Sequence, residues 1–266
     1  MGNVFVEANE VERGARFLDC RFDLSDASKG YAEYVASHIE GAQYIHLEND
    51  LSDMTKNAAG RHPMPEKAQL QALFENLGLS LNDCIYVYDN GAEPFAARAY
   101  WMLSFTGFTN VHVVNGGYDA LVTAGFPVAK EIPQYEKTSI IPTWNENIFA
   151  SRSYVHAITQ GEKEAVLFDA RAAKRYAGEF EPLDPVAGHI PTAKNFDWEQ
   201  LKEGKTLQPN DALLASVPKD KEVVVYCGSG VTASPLYATL KQAGYENVKL
   251  YVGSYSDWIN EFDIEK

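Results

Sequence analysis

An α/β protein of two similar domains, each a mostly parallel sheet flanked by helices, is predicted by three observations. Short apolar runs rich in β-branched and aromatic residues alternate with stretches of helical pattern along the chain, the signature of strand–helix–strand units. The same succession is written a second time in the second half, at a nearly fixed offset. The chain has 266 residues and is 45% apolar, yet no run approaches the ~20 apolar residues of a membrane span, so a soluble globular chain of one or two domains is expected.

In chain order, Phe17-Leu18-Asp19-Cys20-Arg21 reads as a strand and its C-terminal edge, and His38-Ile39-Glu40-Gly41-Ala42 as the turn that follows. Ile85-Tyr86-Val87-Tyr88 is a second strand, ended by the turn-forming Asp89-Asn90-Gly91. A helix around Arg98 to Phe105 leads through Gly107 to the strand Val111 to Val114 and then to Gly116-Gly117-Tyr118. Pro127 to Trp144, with three prolines and no sustained period, reads as a connection. The series then restarts. Leu167-Phe168-Asp169-Ala170-Arg171, His189-Ile190-Pro191-Thr192-Ala193, Val223-Val224-Val225-Tyr226-Cys227-Gly228-Ser229 and Gly244 to Val248 with Gly253-Ser254-Tyr255 repeat the first four blocks in order. The expected division is a first domain over residues 1–128, a linker over 129–149 and a second domain over 150–266.

The copies differ most tellingly where Asp89 of the first corresponds to Cys227 of the second. Cys227 follows an apolar strand and precedes Gly228-Ser229-Gly230-Val231-Thr232 and a helix over Ser234 to Gln242. Unpaired N–H groups and the positive end of the helix dipole converge there and favour a thiolate. Gly228 and Gly230 allow backbone geometries or close approaches that a Cβ would obstruct. A buried packing cysteine is the plain alternative. A phosphatase loop of Cys, five residues and Arg is a second, and it is opposed by Ala233 in the arginine's place. The first domain has no thiol at the matching site, which predicts that it is catalytically silent. Cys20 and Cys84 read as packing residues.

Charge and cysteine content narrow the partners. With 23 Lys and Arg against 37 Asp and Glu, the formal charge of -14 opposes nucleic acid and anionic membrane surfaces. An anionic substrate therefore needs a local cationic site. Three widely spaced cysteines make neither a disulfide framework nor a zinc pattern, and Met1 to Glu12 has no secretory signature, so a reducing cytoplasm is the expected compartment.

These blocks, and Cys227-Gly228-Ser229-Gly230-Val231-Thr232-Ala233 above all, resemble the tandem-rhodanese sulfurtransferases, the family of thiosulfate and 3-mercaptopyruvate sulfurtransferases. The resemblance implies two rhodanese-like domains, the second catalytic, and a two-step transfer in which Cys227 takes a sulfur from a donor as a persulfide and passes it on. It implies thiosulfate or 3-mercaptopyruvate as donor, cyanide or a thiol as acceptor with thioredoxin a candidate, and no metal or organic cofactor. By the same resemblance the N–H groups of Gly228, Ser229, Gly230, Val231 and Thr232 hold the persulfide, and Arg175 in Arg175-Tyr176-Ala177-Gly178 binds the donor's anionic end. Asp169 supports the active loop, although an ion pair between Asp169 and Arg171 is an equally good structural reading.

Donor choice stays open at this stage. Gly228-Ser229 is the mercaptopyruvate pattern, but Leu183 in Glu181-Pro182-Leu183 stands where that type carries a second substrate arginine, a loss of about 1.5–3 kcal/mol of binding. For proton transfer the resemblance points to Ser229 with His38, and Asp26 as a third member. His38 and its counterpart His189 can equally be turn residues bonded to backbone. A low-turnover sulfur-carrier or regulatory binding protein is the alternative function.

Overall fold

A computed structural model describes residues 3–56 and 58–266 and divides them into two compact units. Of these, the first comprises 3–53, 65–145 and 203–207, and the second 54–56, 58–64, 146–202 and 208–266. The units thus follow the written repeat except for two exchanged segments. Residues 54–64, deep in the first half of the sequence, are built into the second unit.

The first unit is a five-stranded sheet in the order Phe5–Val6, Val111–Val114, Ile85–Tyr88, Arg16–Asp19, Gln43–Tyr44, every pairing parallel. The second unit's sheet runs Val248–Leu250, Glu222–Tyr226, Ala165–Asp169, Lys194–Asn195, again all parallel. Parallel strands buried on both faces need near-continuous apolar sequence, which explains why Val223, Val224 and Val225 run consecutively and are all buried. Helices Pro94–Thr106 and Ala233–Gln242 begin where the central strands' loops end. Pro94 opens the first, a position where its missing N–H costs nothing. No helix among the described residues is long and apolar enough to cross a membrane.

The repeat holds down to hydrogen bonds. Asp19 pairs with Tyr88 in the first sheet as Asp169 pairs with Tyr226 in the second. Arg21 Nη2 lies 2.6 Å from Asp19 and 2.7 Å from the Ser37 carbonyl, while Arg171 Nη2 lies 2.6 Å from Asp169 and 2.7 Å from the Gly188 carbonyl. Each guanidinium also sits over a tyrosine ring, Tyr118 at 4.3 Å and Tyr255 at 4.0 Å. Both clamps are buried, and the first exists in a unit without a catalytic thiol, so the geometry serves the fold whatever chemistry follows. Burial disfavours charge on Arg171, but Asp169 outweighs it and holds the guanidinium's pKa above its ordinary value.

The proline-bearing connection is extended yet well tied. Tyr135 donates to the Gly41 carbonyl at 2.9 Å and lies under Arg16, Thr138 N–H donates to the Glu75 carbonyl, and Asn145 N–H to that of Phe105. Val128–Ala129 pairs antiparallel with His38–Ile39. Residues 129–145 are therefore a strap along the first unit, with the break between units at 145/146.

Asp89 stands in the first unit where the second has Cys227. Its carboxyl oxygens accept from the N–H groups of Gly91 at 2.9 Å and Ala96 at 3.0 Å and so occupy the amide cradle at the start of helix Pro94–Thr106. Burial nevertheless pushes this carboxyl up to about 7, against the pull of those N–H groups. The folded state then keeps a proton that the unfolded chain, with a pKa near ~3.9, releases. Stability from this group is complete below about pH 4 and is lost as pH rises through about 7. In Asp89→Asn, stability relative to wild type is expected to rise between pH 5 and pH 8, read as the difference in urea midpoints. A difference independent of pH would refute the buried-proton account.

Candidate active site

Strand Glu222–Tyr226, paired on both sides, delivers Cys227 to the C-terminal end of the second sheet, where the residue is 1% exposed. Main-chain bonds fix it from both sides. Cys227 N–H donates to Ser254 Oγ at 3.1 Å, and the Cys227 carbonyl accepts from Tyr255 N–H at 3.0 Å. Ser254 adopts a left-handed φ of 56° where the first copy has Gly117 at 61°, so a backbone cost of roughly 1–2 kcal/mol accompanies the hydroxyl bond that only the thiol-bearing loop has.

The loop residues occupy distinct posts. Gly230 N–H donates to Cys227 Sγ at 3.1 Å. Gly230 has a φ of +75°, and a Cβ there would lie 2.2 Å from the Val252 carbonyl oxygen. The Gly228 carbonyl accepts from Ser256 N–H at 2.9 Å, the Val231 carbonyl from Ser234 N–H at 3.1 Å, and Thr232 stands at the start of helix Ala233–Gln242. Thiol and loop are thus held where N–H groups without intrahelical acceptors gather. Cys20, by contrast, has its thiol pushed well up by burial and by Asp19 and Asp89, which suits packing rather than attack.

Two side chains that the sequence reading does not single out reach the loop from the exchanged segment. His62 Nδ1 is hydrogen-bonded to Ser229 Oγ at 2.8 Å across 167 residues of sequence. Arg61 reaches Gly228, since a Cβ on that glycine would fall 2.4 Å from Arg61 Nη2 and 3.3 Å from Arg175 Nη2. Gly60 makes this approach feasible: at φ +95° it packs so closely that a Cβ would lie 2.8 Å from the Gly253 carbonyl oxygen. The available signal was the aperiodic run Gly60-Arg61-His62-Pro63, two chemistry-bearing residues in a loop, but nothing local links it to Cys227.

Arg175 stands beside Gly228 and is engaged by carboxylates. It donates to Glu181 at 2.9 and 2.7 Å and lies 3.4 Å from Asp184. Asp184 also receives Arg61 through Nε at 2.9 Å and Nη2 at 3.1 Å, and Glu181 receives Arg171 at 3.1 Å. Burial pushes the Glu181 carboxyl up, but the Arg175 hydrogen bond and the N–H of Leu183 outweigh it and hold it below its ordinary range. Leu183 itself is 58% exposed.

Three expectations are corrected or refined. His38 is fully buried, its Nδ1 2.8 Å from the Tyr34 carbonyl and its Nε2 3.1 Å from that of Glu131, with the ring stacked on Tyr34. With both nitrogens on main-chain oxygens it fastens a turn, as His189 does at the Tyr176 carbonyl, and the histidine bonded to Ser229 is His62. Asp26 is exposed and accepts from the N–H and hydroxyl of Ser28, an Asx turn that leads into helix Lys29–Ala36. Asp169 spends its carboxylate on Arg171.

A thiol in an amide-lined loop at the C-terminal end of a parallel sheet, with guanidinium groups over the next residue, defines a covalent enzyme that carries a group on sulfur. Comparison with known proteins makes this specific. The Rhodanese-like domain matches residues 7–124 and again 151–261. A Pseudomonas aeruginosa protein named "Probable 3-mercaptopyruvate sulfurtransferase" is 38% identical over 254 residues, covering 92% of this chain and 89% of its own. A thiosulfate sulfurtransferase of the same organism is 31% identical over 251 residues, covering 91% and 88%. The crystal structure of SseA from Escherichia coli, a 3-mercaptopyruvate sulfotransferase of the rhodanese fold, superposes with a TM-score of 0.83 at 28% identity, over 96% of this chain and 100% of that one. The chain belongs to the rhodanese family as a tandem of two rhodanese-like domains, and it is a sulfurtransferase.

Proposed function

We propose that the enzyme takes a sulfur atom from 3-mercaptopyruvate or thiosulfate onto Cys227 as the sulfane sulfur of a persulfide and passes it to cyanide or a thiol. The observation that carries this reading is the Cys227 sulfur held by the Gly230 N–H with Arg61 and Arg175 beside Gly228. With thiosulfate, the Cys227 thiolate attacks the outer sulfur, an S–S bond forms, the donor's S–S bond breaks and sulfite leaves with the electron pair. With 3-mercaptopyruvate, the same attack breaks a C–S bond, and the carbon left with the electron pair must gain a proton to become pyruvate. In the second step the acceptor attacks the outer sulfur and the Cys227 thiolate is restored.

Ser229 hydrogen-bonded to His62 supports the mercaptopyruvate branch, because only that branch must deliver a proton to carbon. Gly228, Ser229, Gly230, Val231 and Thr232 supply the main chain around the persulfide, and Asp169 supports the site indirectly through Arg171. A small protein thiol such as thioredoxin, in a reducing cytoplasm, is the acceptor that suits a free catalytic cysteine.

The test is thiocyanate formation from cyanide with each donor at more than one equivalent per enzyme, and the ratio of kcat/KM for the two donors. Turnover beyond one equivalent distinguishes an enzyme from a stoichiometric carrier. A kcat/KM in favour of thiosulfate would remove Ser229 and His62 from proton transfer. Arg175→Leu is expected to raise the donor KM about tenfold or more with a smaller change in kcat. Unchanged KM for both donors would take Arg175 out of the site.

A further inference from the structure

We propose that Arg61 is a donor-binding residue. With Arg175 it forms a two-guanidinium seat, cross-braced by Asp184, for the carboxylate or sulfonate end of the sulfur donor. The inference rests on the sulfur-transfer reading above and deepens it.

Three observations carry it. Arg61 and Arg175 bring their Nη2 atoms to the same spot, the open side of Gly228 immediately after the thiol, and the space exists because residue 228 has no side chain. Asp184, whose side chain is 2% exposed, bridges the two guanidiniums, so their spacing is fixed before any ligand arrives. The Nη1 atoms of both arginines carry no hydrogen bond among the described residues, so each planar fork keeps donors for a ligand.

The local charges sharpen what the seat recognises. Arg61, Arg171 and Arg175 are matched by Asp169, Glu181 and Asp184, so the donor is recognised by directed N–H groups rather than by a surplus of positive charge. A partly exposed arginine whose only task was to neutralise Asp184 would have no need to stand over Gly228.

The experiment compares wild type, Arg61→Gln and the double variant Arg61→Gln/Asp184→Asn, with thiosulfate and with 3-mercaptopyruvate, cyanide being the acceptor. Arg61→Gln is expected to raise KM for both donors about tenfold or more, the loss of a charged hydrogen-bond partner, with a smaller change in kcat. The double variant leaves no buried carboxylate stranded and is expected to keep the raised KM. Recovery of the wild-type KM in the double variant would overturn the proposal by reducing Arg61 to a counter-charge. An unchanged KM in Arg61→Gln, with wild type turning over, would overturn it while leaving sulfur transfer intact. If wild type turns over neither donor, the underlying reading fails and this inference falls with it. Should Arg61→Gln not fold, Arg61→Lys, which keeps the charge but not the planar fork, supplies the same test: a raised KM supports the seat and an unchanged one removes it.

Discussion

Cys227→Ser is expected to abolish sulfur transfer with either donor while the unfolding midpoint stays close to that of wild type. The loop does not depend on sulfur for its shape. Ser254 and Tyr255 hold the main chain of residue 227, Ser256 holds that of Gly228, and the Gly230 N–H can donate to a hydroxyl as it does to Sγ. A serine oxygen, however, is a far poorer nucleophile toward sulfur and cannot carry the transferred atom as a persulfide. Incubation with donor should add the mass of one sulfur atom to wild type and none to the variant. Cys20 and Cys84 remain in the variant, so the measurement also tests whether another thiol carries sulfur. Retained thiocyanate formation would sink the assignment.

Gly230→Ala is expected to cost at least about a hundredfold in turnover, the scale of losing one well-aimed N–H donor. Two effects add at this position. The left-handed φ of +75° disfavours any Cβ by roughly 1–2 kcal/mol, and the new carbon would lie 2.2 Å from the Val252 carbonyl oxygen, which cannot yield without moving the segment that ends in Ser254. Both the Gly230 N–H to Sγ and the Ser254 hydroxyl to Cys227 N–H are then displaced. Gly244→Ala separates the two effects, because Gly244 has a φ of +80° with nothing within 4 Å of a Cβ. That variant should lose only the conformational term, about 1 kcal/mol by denaturant unfolding, and keep full turnover. Equal damage from both substitutions would mean that backbone strain, and not the loop's approach to Val252, governs position 230.

Much of the fold was readable because its signals are local or repeated. Val111–Val114 and the Val223–Val225 run announce strands by composition, and a helix starting just after Thr232 follows from the Gly-rich turn and the pattern beyond it. The contrast between Asp89 and Cys227 was legible only through the repeat, since an aspartate before Asn-Gly looks by itself like an ordinary turn. Long-range placement was not legible. His62 and Arg61 act on residues 167 positions away, through a segment whose own surroundings in sequence belong to the other unit. His38 shows the converse error: its repeated turn with His189 was visible, but the hydrogen bonds that fix both rings to main-chain carbonyls were not, and a histidine already bonded at Nδ1 and Nε2 is spent on structure.

The exchanged segment limits how this chain can be dissected or recombined. A recombinant second half beginning at residue 150, which the written repeat would recommend as a self-sufficient catalytic module, omits 54–64 and with them Arg61, His62 and the Gly60 packing against Gly253. Gene fusions, half-for-half chimaeras and circular permutants that respect the sequence repeat would all cut a single working part in two. The transplantable module is discontinuous: it comprises residues 146–202 and 208–266 together with the short stretch that ends at Met64.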